Sequence, residues 1–151
     1  MSSFNQITLG YVVPTAMGAQ VANPDKKVIA VTGDGGFMFN VQELATAAQH
    51  NIPVVVILMN DGAFGNVKRN QKEDWNEQYL GVDLQNPDFM KLAEAFGIMG
   101  QRVDSPEGLR GAIQNAFKQD GPALIEVTVG EMPSAWQYMP LVRAKDQSSE
   151  K

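Results

Sequence analysis

Two dense apolar runs organise the chain, Val28-Ile29-Ala30-Val31-Thr32 and Val54-Val55-Val56-Ile57-Leu58-Met59. Neither alternates with polar residues, so both read as strands buried on both faces, as in a parallel sheet. Around them the apolar spacing becomes helical. Gly10 to Asn23 places Val12, Val13, Ala16, Met17, Ala19 and Val21 on such a repeat. Regular helix is expected to start around Pro14, because proline suits a first turn. Asn40-Val41-Gln42-Glu43 has the form of a capping box. It opens a predicted helix through Leu44, Ala45, Ala47 and Ala48 that ends near His50-Asn51, ahead of Pro53. Asn86-Pro87-Asp88 starts another (Phe89, Met90, Leu92, Ala93, Phe96), stopped by Gly97. Ser105-Pro106-Glu107 starts one more (Leu109, Ile113, Ala116, Phe117), and Ala123 to Val129 is a last apolar strand. The βαβα order predicts an α/β fold of three layers, a mainly parallel sheet with helices on both faces. The polar tail from Arg143 onward is expected to be disordered.

Both strands end in a polar turn, Gly33-Asp34-Gly35-Gly36 and Asn60-Asp61-Gly62. Parallel strands deliver those turns to one edge of the sheet, the carboxyl end, where α/β proteins bind ligands. Magnesium takes about six oxygens and shares them between a few protein groups, phosphates and water. Asp34 offers a charged oxygen, Asn60 an amide oxygen and Gly62 a main-chain carbonyl; two diphosphate oxygens and a water would complete the shell. Gly33, Gly35 and Gly36 are read as allowing positive φ and close approach of backbone to phosphate. Amides at the start of the following helix would add anion donors. Singly, each turn is ordinary turn chemistry. Jointly, after two buried strands, they indicate a cofactor site.

Composition narrows the alternatives. At 151 residues the chain is expected to be one domain, large enough to bury a core and too small for a second domain. Acidic residues outnumber basic ones by 17 to 12, which leaves no electrostatic footprint for nucleic acid. No apolar stretch approaches a membrane span and no leader opens the sequence. The absence of cysteine removes disulfides, thiolate sites and iron–sulfur ligation, and makes a reducing cytoplasm the expected compartment. A nicotinamide or flavin fingerprint would need glycine at 38 after Gly33 and Gly35, and Met38 stands there.

Gly33-Asp34-Gly35, twenty-four intervening residues and then Asn60 resemble the signature of thiamine diphosphate-dependent enzymes. More narrowly, the chain resembles the C-terminal, diphosphate-binding domain of the acetolactate synthase, pyruvate oxidase and 2-oxo acid decarboxylase superfamily. Thr8-Leu9-Gly10-Tyr11-Val12-Val13-Pro14, Ala22-Asn23-Pro24-Asp25-Lys26-Lys27-Val28-Ile29 and Val41-Gln42-Glu43-Leu44-Ala45-Thr46-Ala47 are similar to its flanking segments. The likeness covers about residues 7 to 130, so 1–130 is expected to be the thiamine diphosphate and Mg2+ domain and 131–151 a partly disordered tail.

The resemblance implies specific roles. Asp34, Asn60 and the Gly62 carbonyl would ligate Mg2+, with Asp61 stabilising the turn. Amides around Gly35, Gly36, Phe64, Gly65 and Asn66 would hold the diphosphate. Leu9 would wedge the cofactor into its bent form, and the Ile7 carbonyl would accept from the cofactor's amino group. The cofactor carries the carbanion chemistry and the protein orients it. No catalytic residue is expected in this chain, because the family's activating glutamate comes from a separate pyrimidine-binding domain, usually across a dimer interface. Glu43, Glu73 and Glu77 are not substitutes for it. A family strand ahead of Leu9 has no counterpart in Met1 to Gln6, so the chain is expected to be N-terminally truncated, inactive alone, and self-associating through exposed apolar surface. A 2-oxo acid is the implied substrate; a non-catalytic assembly module with a relic motif is the alternative. His50 is read as a helix C-terminal residue, and Met38, Met59, Met90 and Met99 as core filler. Lys68, Arg69 and Lys72, which follow the second turn, are read as a solvated helix face, with contact to substrate or a partner subunit as the alternative. Trp136 and Tyr138 either approach the site or cover the sheet edge.

Overall fold

The computed structural model describes residues 8–131. Ile7, Trp136, Tyr138 and the tail from Arg143, for which the sequence carries expectations, lie outside them. The chain runs α1 (Val12–Ala22), β1 (Ile29–Gly33), α2 (Asp34–Met38), α3 (Glu43–Gln49), β2 (Val55–Asn60), α4 (Gly65–Asp74), α5 (Phe89–Ala95), β3 (Met99–Val103), α6 (Pro106–Ala116) and β4 (Ala123–Thr128). The four strands form one sheet in the order β1-β2-β4-β3, and every pairing is parallel. This is the expected α/β arrangement, with β3 added at an edge. Apolar periodicity passes over β3 because Gly100, Gln101 and Arg102 interrupt it, and an edge strand needs less apolar cover. Among the described residues no helix is long and apolar enough to cross a membrane.

Strand alternation sorts the side chains into two cores. Even-numbered positions of the sheet (Ala30, Val54, Val56, Leu58, Leu124) pack with Val13 and Met17 of α1, Phe37 of α2, Leu44 of α3 and Phe89 of α5. Phe37 and Phe89 meet edge to face with centroids 5.8 Å apart. Odd-numbered positions (Val55, Ile57, Val103, Ile125, Val127) pack with Ala112 and Ala116 of α6. Three layers result. The second face is covered unevenly: on β1, Ile29 and Val31 remain exposed, Val31 at 58%. β1 is thus buried on one face and not on both as its apolar run predicts, because among the described residues no helix covers its outer side; exposed apolar surface, also expected from the sequence, lies partly there.

Most caps are where the sequence puts them. Asp88 Oδ1 accepts from the Met90 N–H at 3.0 Å, Ser105 Oγ from the Gly108 N–H at 3.3 Å, and Gly97 ends its segment at φ +67°. His50 is the C-terminal cap of α3. Helix α4 buries no residue, but it is not a simply solvated face: Lys68 and Lys72 pair with Asp83 and Glu131, and Arg69 lines a groove together with Asp34. The capping box at Asn40 does not form. α3 begins later, at Glu43, and no side chain caps it. The Asn40 amide instead donates to the Gly10 carbonyl at 2.9 Å and ties the N-terminal segment to the α2–α3 connection. Met38 is partly exposed instead of core, while Met59, Met90 and Met99 pack against the two clusters.

The uneven cover makes a stability prediction. Leu58→Ala should lower the unfolding free energy by about 2–5 kcal/mol, whereas Val31→Ala should change it by no more than about 0.5 kcal/mol. Urea unfolding of both variants decides the point. Equal losses would mean that the outer face of β1 is covered in solution.

Candidate cofactor and metal site

The pairing of β1 with β2 has no stagger across the turns: Gly33 stands opposite Met59. The next residue of each chain, Asp34 and Asn60, therefore emerges on the same edge and, by parity, the same face. Asp34 is 1% exposed. Its Oδ1 accepts from the Gly35 N–H at 2.9 Å, and its Oδ2 accepts from the Gly62 N–H at 3.0 Å and from Asn86 Nδ2 at 2.5 Å. Asn60 Oδ1 accepts from the same two donors, the Gly62 N–H at 3.2 Å and Asn86 Nδ2 at 3.0 Å. Two oxygens that share two donors lie side by side. The sequence-predicted pair is thus brought together, along with Asn86, which the sequence offered only as a helix-start residue.

Gly62 has φ +69°, a conformation that glycine adopts freely. Its N–H faces the two oxygens, and its carbonyl accepts from the Leu84 N–H at 2.8 Å. The other glycines of the first turn work differently from the expectation. Gly33, Gly35 and Gly36 do not have positive φ, because α2 starts at Asp34 without an intervening turn. Space is what Gly35 supplies. A Cβ there would lie 2.6 Å from Phe64 Cε1 and 3.2 Å from Leu84 Cδ1. At Gly36 a Cβ would sit 3.3 Å from Thr32 Oγ1 and 3.7 Å from Leu9 Cδ2, so Leu9 lies over this turn.

A groove of about 740 Å3 opens beside the pair, lined by Leu9, Asp34, Gly35, Gly36, Asp61, Phe64, Gly65 and Asn66, with Thr8, Val31 and Met59 among the other walls. Leu9 is 46% exposed and turns an apolar side chain to it. Of the amides expected to face an anion, those of Gly35 and Phe64 are engaged, with Asp34 Oδ1 and the Val82 carbonyl at 2.8 Å. Gly36, Gly65 and Asn66 lie in first helical turns, where N–H groups have no intrahelical acceptor.

The electrostatics favour a cation. Among the described residues Asp34 has no Lys or Arg ion pair, and its negative charge is met by neutral N–H donors alone. Asp61 lies nearby and its Oδ1 accepts from the Ala63 N–H at 3.2 Å. Burial, and behind it the charge of Asp34, still holds the Asp61 carboxyl above its ordinary value. The described residues contain no cluster of three or more His, Cys, Asp or Glu side chains able to hold a metal. The donors here are one carboxylate, one amide and backbone, a set that suits an ion sharing its shell with phosphate and water. The residues fit a hard divalent cation.

A parallel α/β domain with a cation-favouring oxygen pair beside an open groove at its carboxyl edge is a cofactor-binding domain by fold and site. The chain belongs to the thiamine pyrophosphate enzyme family: its residues 1–127 match the C-terminal TPP binding domain. That family uses thiamine diphosphate with a divalent metal, typically Mg2+. The chain is 37% identical over 145 residues to the acetolactate synthase isozyme 2 large subunit of Escherichia coli, spanning 95% of this chain and 26% of that protein. It is 42% identical over 130 residues to a probable acetolactate synthase large subunit of Methanococcus aeolicus, 85% of this chain and 22% of the relative. The thiamine diphosphate-dependent 4-hydroxybenzoylformate decarboxylase of Rhodococcus jostii superposes with a TM-score of 0.77 at 38% identity, over 83% of this chain and 24% of that one. The chain therefore spans about a quarter of the length of these relatives.

Two outcomes follow from the geometry. Gly35→Ala should displace the Phe64 ring and cost about 1–3 kcal/mol by overpacking, and adding Phe64→Ala should recover part of that loss. Chemical denaturation of the single and double variants tests this; additive losses would show that the two sites do not touch. The second outcome concerns pH. The folded chain binds the Asp61 proton more tightly than the unfolded chain, so its stability is relatively favoured at low pH and declines as pH rises past the ordinary value of 3.8. Asp61→Asn lacks this decline. Urea midpoints at about pH 4 and about pH 7 should therefore separate in the variant's favour at the higher pH.

Proposed function

We propose that this chain is the diphosphate-binding half of a thiamine diphosphate-dependent enzyme that decarboxylates 2-oxo acids or ligates the resulting carbanion to an acceptor. The observation that carries the reading is the side-by-side placement of Asp34 Oδ2 and Asn60 Oδ1, with Asp34 lining a groove that Leu9 also lines. Asp34, Asn60 and the second lone pair of the Gly62 carbonyl would hold Mg2+, and the ion would hold the diphosphate. First-turn N–H groups of Gly36, Gly65 and Asn66 would face the phosphate oxygens. Leu9 would support the cofactor's bent form by apolar contact, and the Ile7 carbonyl would receive its amino group. Thiamine diphosphate supplies the carbanion nucleophile when bound; the chain's part is to bind, orient and exclude water.

Activation requires a carboxylate from a pyrimidine-binding domain of the same or a partner subunit, and the enzyme would work as a homo-oligomer. Exposed apolar side chains near the groove, Val31 and Phe39 among them, support a covering partner there. The chain alone is accordingly expected to bind cofactor without turning over substrate, in a cytoplasmic setting.

Calorimetric titration of thiamine diphosphate into the chain tests the reading. Heat of binding should appear with Mg2+, vanish with chelator, and vanish in Asp34→Ala that remains folded. Binding that ignores both chelator and substitution would refute the metal assignment, and no binding at all would favour a relic site used in assembly.

A further inference from the structure

Glu126 lies in the middle of an apolar strand and is 2% exposed. Its Oε2 accepts from Arg102 Nε at 2.8 Å, and its Oε1 accepts from Asn60 Nδ2 at 2.8 Å. Arg102 is fixed in turn by Asp88, whose Oδ1 accepts from Arg102 Nη2 at 2.9 Å. Stability does not demand this arrangement, since apolar residues commonly replace a buried ion pair without loss. What a carboxylate supplies and an apolar residue does not is an acceptor with no donor.

That property matters to Asn60. The two ends of a side-chain amide have the same shape and opposite chemistry. Only the oxygen end serves a cation; the NH2 end repels it. Against the Glu126 carboxylate, whose other oxygen is occupied by the Arg102 guanidinium, the amide can present only Nδ2. Oδ1 must then face the opposite way, toward the Gly62 N–H, Asn86 Nδ2 and the neighbouring Asp34 Oδ2. We propose that Glu126 is a positioning residue that sets the Asn60 amide with its oxygen toward the cation site, a role that rests on the reading of Asp34 and Asn60 as metal ligands.

Glu126→Gln removes the one-sided acceptor while keeping size and shape. Its amide oxygen serves either Arg102 or Asn60, and its NH2 end then opposes the other donor. Outer partners of metal ligands typically contribute 10–100-fold in metal affinity, so a loss of about tenfold or more in Mn2+ affinity is expected, read by electron paramagnetic resonance with thiamine diphosphate present. The partner substitution separates orientation from general damage. Aspartate has an oxygen at both ends and needs no orienting. Asn60→Asp should therefore restore Mn2+ affinity in the Gln background. With Glu126 intact it sets two carboxylates against each other and should weaken the site. That change of sign is not expected of a merely structural Glu126.

A metal-free readout distinguishes failure of this inference from failure of the cofactor reading. In nuclear magnetic resonance of the apo chain, the Asn60 Nδ2 protons should exchange slowly with solvent and lose that protection in Glu126→Gln. If the unsubstituted chain binds no Mn2+ but shows this protection and its loss, the ligand reading fails and the orienting contact stands. Unchanged protection, or unchanged Mn2+ affinity in folded Glu126→Gln, overturns the proposal. So does failure of Asn60→Asp to rescue the Gln variant when both are folded.

Discussion

The unstaggered parallel pairing of β1 and β2 is the constraint on which the site depends. Because Ile29 pairs with Val55 and Gly33 with Met59, the two chains leave the sheet at the same level. Asp34 and Asn60 then meet without any long side chain reaching across. A slip of one residue would reverse the face of every following side chain. Burial of Val54, Val56 and Leu58 in one core and of Val55 and Ile57 in the other holds β2 against such a slip. Site geometry is thus set by apolar packing several residues away from the polar groups.

Along the carboxyl edge, on the face of the even-numbered positions, a polar chain follows the spatial order of the strands. It runs from Asp34 after β1 to Asn60 on β2, Glu126 on β4 and Arg102 on β3, with Asn86 joining the first two. Its charges are distributed unevenly. At the β3 end Glu126 has a guanidinium, and its carboxylate with that of Asp88 raises the affinity of Arg102 for its proton. At the β1 end, among the described residues, Asp34 has only N–H partners, with Asp61 nearby. The end near Asp34 suits a cation, and the end near Arg102 is already paired. Both states need the buried groups to be hydrogen-bonded, and no buried side-chain nitrogen or oxygen among the described residues lacks a partner.

The chain corresponds to about a quarter of relatives that are several times longer. The open groove and the exposed apolar side chains of β1 agree with a domain that works against another surface. Family membership follows from the match across residues 1–127. Substrate choice does not follow from the fold, since one scaffold serves many reactions.

Much of this was legible in the amino-acid order. The two long apolar runs were legible as parallel strands, although only β2 is buried on both faces and β1 leaves Ile29 and Val31 exposed; Asp34 and Asn60 stand out because each ends one of them. The helix starts at Asp88 and Ser105 were legible because caps act within a few residues. Tertiary structure alone decided what depended on distant partners. Asn40 forgoes a capping box because Gly10, thirty residues earlier, offers a carbonyl. Gly35 is needed for the Phe64 ring and not for a turn. Arg102, on an edge strand with no apolar signal, and Asn86, in an ordinary helix start, acquire their roles only when the sheet is assembled. Glu126 left one local trace, an acid inside an apolar run, but its partners are Arg102 and Asn60, 24 and 66 residues away. Local order fixes what the backbone does over a few residues; which oxygen faces which donor is settled by register and packing across the whole sheet.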